Sequence, residues 1–201
     1  MTFTTTHRRV QRLSLTLGLP ALVAAVTMGG AATTGSTGSA TEDDDVITPI
    51  RVNGTVAAPV DDVWHAWTTD DGARTWLSEN TNIELRLGGP FEILFVMENP
   101  EGKRGSEGCT ILSYLPREML SFTWNAPPQF EHARDRHTWV VVQFEPVGAD
   151  RTHVTLTHLG WQENITRWPG HEEEWNGVRE YFVNAWPRVL EALERRFADD
   201  S

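Results

Sequence analysis

The segment from Glu172 to Phe197 constrains this chain more than any other. Apolar residues recur at Trp175, Val178, Phe182, Ala185, Val189 and Leu193, the three-and-four spacing of one helical face. Glu180, Arg188, Glu191, Glu194 and Arg195 fall on the opposite face. A helix of about 26 residues extends roughly 39 Å at about 1.5 Å each, enough to cross a whole sheet. The middle of the chain reads as a run of short alternating strands. One long helix laid on a curved antiparallel sheet can enclose a cavity, so the pattern suggests a container for something apolar.

Charge narrows the choice of partner. The formal net charge is −11, and beyond Arg12 the chain carries 14 basic against 28 acidic residues. Such a surface repels phosphate backbones and anionic headgroups, so no nucleic-acid partner is expected. Nine tryptophans supply large apolar bodies whose N–H groups need partners when buried. Cys109 is the single cysteine. It excludes an intramolecular disulfide and a multi-cysteine metal site, and its place in a strand pattern predicts a buried, inert thiol.

Residues 1–40 read as an export signal or a disordered extension rather than as part of the fold. Arg8, Arg9 and Arg12 precede a mostly apolar run from Leu13 to Met28, and small residues follow, the three-part layout of a secretory signal. Cleavage could follow Ala31, Ala32 or Ala40. The paired arginines resemble a twin-arginine signal in part, with Gln11 and Arg12 where an apolar pair is preferred. Pro20, Ser14, Thr16 and Thr27 weaken a membrane anchor. The alternative is a cytoplasmic protein whose translation starts at Met28. Residues 41–47, with Glu42-Asp43-Asp44-Asp45, form an acidic linker, and the domain spans 48–198.

Within the domain, Ile50 to Val56 alternates as a half-buried strand. Pro59 opens a helix with Asp61 and Asp62 in its first turn, and Val63, Trp64 and Trp67 form its buried stripe. Asp70-Asp71-Gly72 is expected to end that helix, and a second short one runs from Ala73 to Leu77. Strands follow at Ile83–Leu87, Phe91–Met97, Glu107–Tyr114, Leu120–Trp124, Thr138–Glu145 and Thr152–His158. Phe91, Ile93, Phe95 and Met97 are assigned to one face, and Ala126–Asp135 reads as a loop. The connections between strands are short, so the expected fold is α+β: a curved, mainly antiparallel sheet of about six to seven strands, two short helices after the first strand, and the long terminal helix. Pro187 should kink that helix by removing the bond to the Val183 carbonyl.

Four segments carry a family resemblance. Ala57-Ala58-Pro59-Val60-Asp61-Asp62-Val63-Trp64-His65-Ala66-Trp67 resembles the opening of START-like domains of the SRPBCC superfamily. Arg86-Leu87-Gly88-Gly89-Pro90-Phe91 is similar to their glycine turn. Pro116 to Trp124 and Thr152 to Trp161 resemble two of their strands. In this order they resemble the branch of activators of the heat-shock protein 90 ATPase, over about residues 50–197. The resemblance implies a helix-grip fold with a cavity under the terminal helix. Relatives bind lipids, hormones or polyketides, and some catalyse cyclisation, so the fold leaves the activity open.

The chemistry-bearing residues are few. His158 shares a strand face with Val154 and Leu156, turned toward the helix, where it could act as acid or base or be a satisfied core histidine. His153 and His158 face opposite sides of a strand. His171 lacks a second histidine four residues on, so no metal site is expected. No nucleophile motif is present, and no cofactor is expected. Gly102-Lys103-Arg104-Gly105 reads as a turn. The expected cavity lining is Trp76, Phe95, Trp124, Val142, His158, Trp175 and Phe182. The leading expectation is non-enzymatic binding of a small hydrophobic molecule. The alternatives are a cyclase- or hydrolase-like enzyme using His158, and a co-chaperone-like activator of a heat-shock ATPase whose protein partner the sequence does not identify.

Overall fold

The structure, a computed structural model, describes residues 47–198. The expected export segment (1–40) lies outside the described residues, as does all of the acidic linker except Ile47. The Ile47 N–H donates to Gln162 Oε1 at 2.9 Å.

The fold is an α+β helix-grip. Its elements run β1 (Ile50–Val56), α1 (Val60–Thr68), α2 (Asp70–Arg74), β2 (Asn80–Ile83), β3 (Phe91–Leu94), β4 (Ile111–Leu115), β5 (Met119–Trp124), α3 (Glu131–Arg134), β6 (Thr138–Pro146), β7 (Thr152–Leu159), α4 (Trp161–Arg167) and α5 (Glu172–Ala198). Among the described residues seven strands form two antiparallel sheets, one of five strands in the order β1-β7-β6-β5-β4 and a separate hairpin β2-β3. The meander β4 to β7 follows from short connections, and β1 closes onto β7 with Ile50 opposite His158 and Val52 opposite Leu156.

Period-two alternation builds the core face. Phe122 stands opposite Val140, and Leu120 opposite Val142. Val140 in turn faces His158 on β7, and Val142 faces Leu156. All of these side chains are buried, with α1 packed over β6 and the terminal α5 over β1 and His158. The buried residues of α5 are Trp175, Val178, Phe182, Trp186, Leu190 and Leu193. The expected stripe placed Ala185 and Val189 where the structure buries the larger Trp186 and Leu190. At 3.6 residues per turn the face passes between both choices, and the bulkier side chains take the centre. α5 continues through Pro187 to Ala198.

Several local boundaries differ from expectation. The first break between helices falls at Thr69, in extended conformation. Its Oγ1 accepts from the Gly72 N–H at 3.0 Å, so Asp70-Asp71-Gly72 begins α2 instead of ending α1. β2 lies at Asn80–Ile83, earlier than the expected Ile83–Leu87, because Asp70 Oδ1 accepts from both the Ile83 N–H (3.0 Å) and Thr81 Oγ1 (2.8 Å). β3 ends at Leu94, so Phe95 and Met97 leave the buried face that Phe91 and Ile93 share. The expected loop 126–135 contains α3, and α4 was not expected. Gly160 precedes α4 at φ 96°, and a Cβ there would stand 2.8 Å from the Trp139 ring, so only glycine fits.

β1 is an edge strand. Glu194 of α5 reaches across it, and its Oε1 accepts the outward Thr55 N–H at 3.0 Å. A Cβ on Gly54 would come within 2.3 Å of that oxygen.

Candidate functional site

His158 stands in the middle of the sheet-to-helix interior, with no solvent exposure. The Trp186 indole N–H can only donate, and it meets His158 Nδ1 at 2.8 Å. Nδ1 is therefore the acceptor and Nε2 carries the proton. Nε2–H donates to Thr138 Oγ1 at 2.7 Å, whose own hydroxyl donates to the Trp124 carbonyl at 3.0 Å. Trp161, Phe182 and Trp186 close around the imidazole with ring centroids 4.4, 4.9 and 5.6 Å away. Burial pushes its pKa well below the ordinary histidine value. Both nitrogens are taken and the ring is neutral, so it offers a substrate no free lone pair or acidic proton. The arrangement is that of a structural polar chain.

Other expected lining residues are also packed into the core, although the buried Trp175 N–H has no hydrogen-bond partner among the described residues. Val142 and Trp175 are fully buried in the core. Trp76 packs edge-on against Trp67 at 4.9 Å and donates its N–H to the Ala66 carbonyl at 3.0 Å. These three do not line the cleft that Phe95, Trp124 and Phe182 border. The interior between sheet and α5 is filled there by aromatic side chains.

An opening remains at one end. Phe95, Trp124 and Phe182 line a cleft of about 170 Å³ together with Val96, Pro127, Pro128 and Tyr181. β5 delivers Trp124 at its last residue, α5 delivers Phe182 and Tyr181, and the segment after β3 delivers Phe95. Phe95 is 52% exposed, because it lies just past the strand and faces the cleft mouth. Trp124 therefore belongs to both regions. Its carbonyl ends the His158 chain, and its ring, 5.5 Å from that of Trp186, forms a cleft wall.

The polar part of the lining is Asn99, Asn125 and three cations, Lys103, Arg104 and Arg134. Arg134 is 8% exposed and holds the cleft floor together. Its Nε donates to Gly102 O at 2.8 Å, one terminal nitrogen to Ala126 O at 2.5 Å and the other to Gly105 O at 2.8 Å. Glu107 lies 3.6 Å from the guanidinium and accepts from the Gly102 and Arg104 N–H groups. Gly105 is required here: a Cβ would stand 1.9 Å from the Ile93 carbonyl oxygen. α3, which carries Arg134, is tied to α5. The Ala133 N–H donates to Glu174 Oε1 at 3.0 Å, and the His132 and His171 rings stack 3.3 Å apart. Lys103 and Arg104 complete the rim, and no Asp or Glu lines the cleft.

Of the expected lining, Phe95, Trp124 and Phe182 border this cleft, and its cations were not among the expected residues. The available signal was the adjacent pair Lys103-Arg104 between glycines in an otherwise acidic chain. Arg134 gave none, because its role depends on the Gly102 and Gly105 carbonyls, distant in sequence, and on that of Ala126. Cys109 is buried and its pKa is raised to about 12 by desolvation, as expected of an inert thiol. No group of three or more metal-ligating side chains able to hold an ion exists among the described residues. No described helix is long and apolar enough to cross a membrane.

Residues 57–198 match the family described as Activator of Hsp90 ATPase homolog 1-like protein. Similar solved structures include protein MLL2253 of Mesorhizobium loti, 20% identical over 76% of this chain and 98% of that one, with a TM-score of 0.56. The Aha1 dimer of Colwellia psychrerythraea is 17% identical over 75% and 96%, with a TM-score of 0.53. Protein BH1534 of Bacillus halodurans is 21% identical over 75% and 97%, with a TM-score of 0.53. No curated protein matches the chain. The chain belongs to the activator of Hsp90 ATPase homologue family.

Proposed function

We propose that this member of the activator of Hsp90 ATPase homologue family binds a small hydrophobic molecule in the cleft at the Phe95, Trp124 and Phe182 end of the helix-grip. The supporting observation is the cleft itself: an open space of about 170 Å³ walled by Phe95, Trp124, Tyr181 and Phe182. Binding sites combine apolar walls with a few polar anchors, and this cleft has both. Its volume suits a ligand, or the part of one, about the size of a single ring, since an engineered cavity of about 150 Å³ binds benzene.

The enzymatic alternative would need a free acid or base in the cleft, and His158 is committed to Thr138 and Trp186. The co-chaperone alternative draws on the family description and on the Aha1 relative, whose likeness at 17% identity speaks for the fold alone.

Native mass spectrometry of the protein from its own host tests the binding reading, followed by a tryptophan-fluorescence titration with small lipophiles. Retained ligand or a saturable response that Phe182→Ala weakens is expected. No retained molecule and no response to any lipophile would sink it. We also propose export by residues 1–40, with an N-terminus after Ala31, Ala32 or Ala40 in the extracellular fraction as the expected finding. A cell-bound protein starting at Met28 would overturn it.

A further inference from the structure

The chain has twice as many acidic as basic residues beyond Arg12, yet three cations and no acid line the cleft. Their partners differ. Arg134 is consumed by three backbone carbonyls and Glu107. Arg104 uses Nε on the Asn99 carbonyl at 3.2 Å, which orients the guanidinium and leaves both terminal nitrogens without a hydrogen-bond partner among the described residues. The Lys103 ammonium makes no hydrogen bond or ion pair among them either. Two positive groups with free donors thus stand at the rim of an aromatic cleft.

We infer that the ligand is a small organic monocarboxylate, with an aromatic or compact aliphatic body against Trp124 and Phe182 and its carboxylate on Arg104 and Lys103. This deepens the binding reading above and rests on it. A planar guanidinium with its terminal nitrogens free matches a carboxylate in a two-point contact, and a lysine adds a point charge beside it. The size of the cleft sets the body at about one ring. The acidic surface selects against ligands of higher negative charge: at physiological salt the screening length is about 8 Å, so close cations hold one charge while a polyanion also meets the repulsive field of the domain.

The test compares phenylacetate with its neutral isostere phenylacetamide by calorimetric titration of the whole protein. The parent chain should bind the carboxylate at least about tenfold tighter, since it adds ion pairing with two close cations to hydrogen bonds that the amide oxygen can also accept. The preference should weaken at high salt. In a Lys103→Met, Arg104→Gln double variant the preference should vanish, with phenylacetate affinity falling far more than phenylacetamide affinity. Both positions are at least partly exposed, and urea denaturation checks that the variant folds like the parent. Equal binding of acid and amide by the parent overturns the carboxylate assignment and leaves the apolar cleft standing. So does a preference that survives the double substitution. If neither compound binds and a panel of neutral lipophiles also fails, the binding reading fails and the carboxylate assignment with it.

Discussion

The interior around His158 and the cleft around Phe95 are built on the same helix and share the walls Trp124 and Phe182, yet they are finished in opposite ways. In the interior every polar atom of the chain Trp186–His158–Thr138–Trp124 has a partner, and aromatic rings fill the space. At the cleft, aromatic rings line space without filling it, and the rim cations keep donors free. A buried polar group left unpaired is costly, whereas one at an open rim is kept solvated by water. An inward-facing histidine is therefore a poor pointer to function in this fold. The groups able to meet a ligand sit where the packing stops.

Removing His158 tests the contrast most severely. His158→Ala leaves a cavity, an orphaned Trp186 N–H and a Thr138 hydroxyl without its donor. We expect a loss of about 3–5 kcal/mol in urea denaturation, a large share of the roughly 5–15 kcal/mol typical of a domain. A loss under about 1 kcal/mol would show that the chain is not structural. At the boundary of the two regions, Gly105→Ala forces a methyl into the Ile93 carbonyl and should cost about 1–3 kcal/mol.

Acid should act on the interior first. His158 is held below the ordinary histidine pKa of 6.5 by burial, and His137, although exposed, is lowered by partial desolvation and by the charge of Arg134. His132 is lowered by desolvation and by the charges of Arg136 and His171. Below about pH 6.5 the unfolded chain takes up protons that the folded chain refuses. The stability these neutral rings confer is complete above that pH and declines as pH falls. Denaturation at pH 7.5 and pH 5.5 checks this, and equal stability at the two would contradict it. The smallest stability effect belongs to the cleft. Phe95→Ala, at a half-exposed wall, should change stability by no more than about 0.5 kcal/mol while weakening lipophile binding several-fold. A large loss of stability there would erase the distinction between the two regions.

The parts of this architecture that depend on periodicity were legible in the sequence. Alternation in Thr152–His158 correctly turned His158 inward, and the helical spacing of Glu172–Phe197 gave α5 within a residue or two. Elements set by single side-chain contacts were not. The carboxylate of Asp70 fixes β2, the Thr69 hydroxyl starts α2, and α4 begins at Gly160 with no side-chain cap to mark it. The same division holds in the site. Apolar walls follow from strand and helix faces. Arg134 and the Lys103-Arg104 rim depend on how the connections after β3 and β5 meet, and no local pattern encodes that meeting.

The contact between Glu194 and the Thr55 N–H bears on how this chain avoids joining copies of itself. β1 is bonded to β7 on one side only, and the outward row of an edge strand is a template for another strand. Glu194 occupies a position in that row, and its reach depends on α5 lying close over Gly54. Loosening the end of α5 would therefore expose apolar core and strand edge together. Self-association should begin from that locally opened form, well before the sheet itself comes apart.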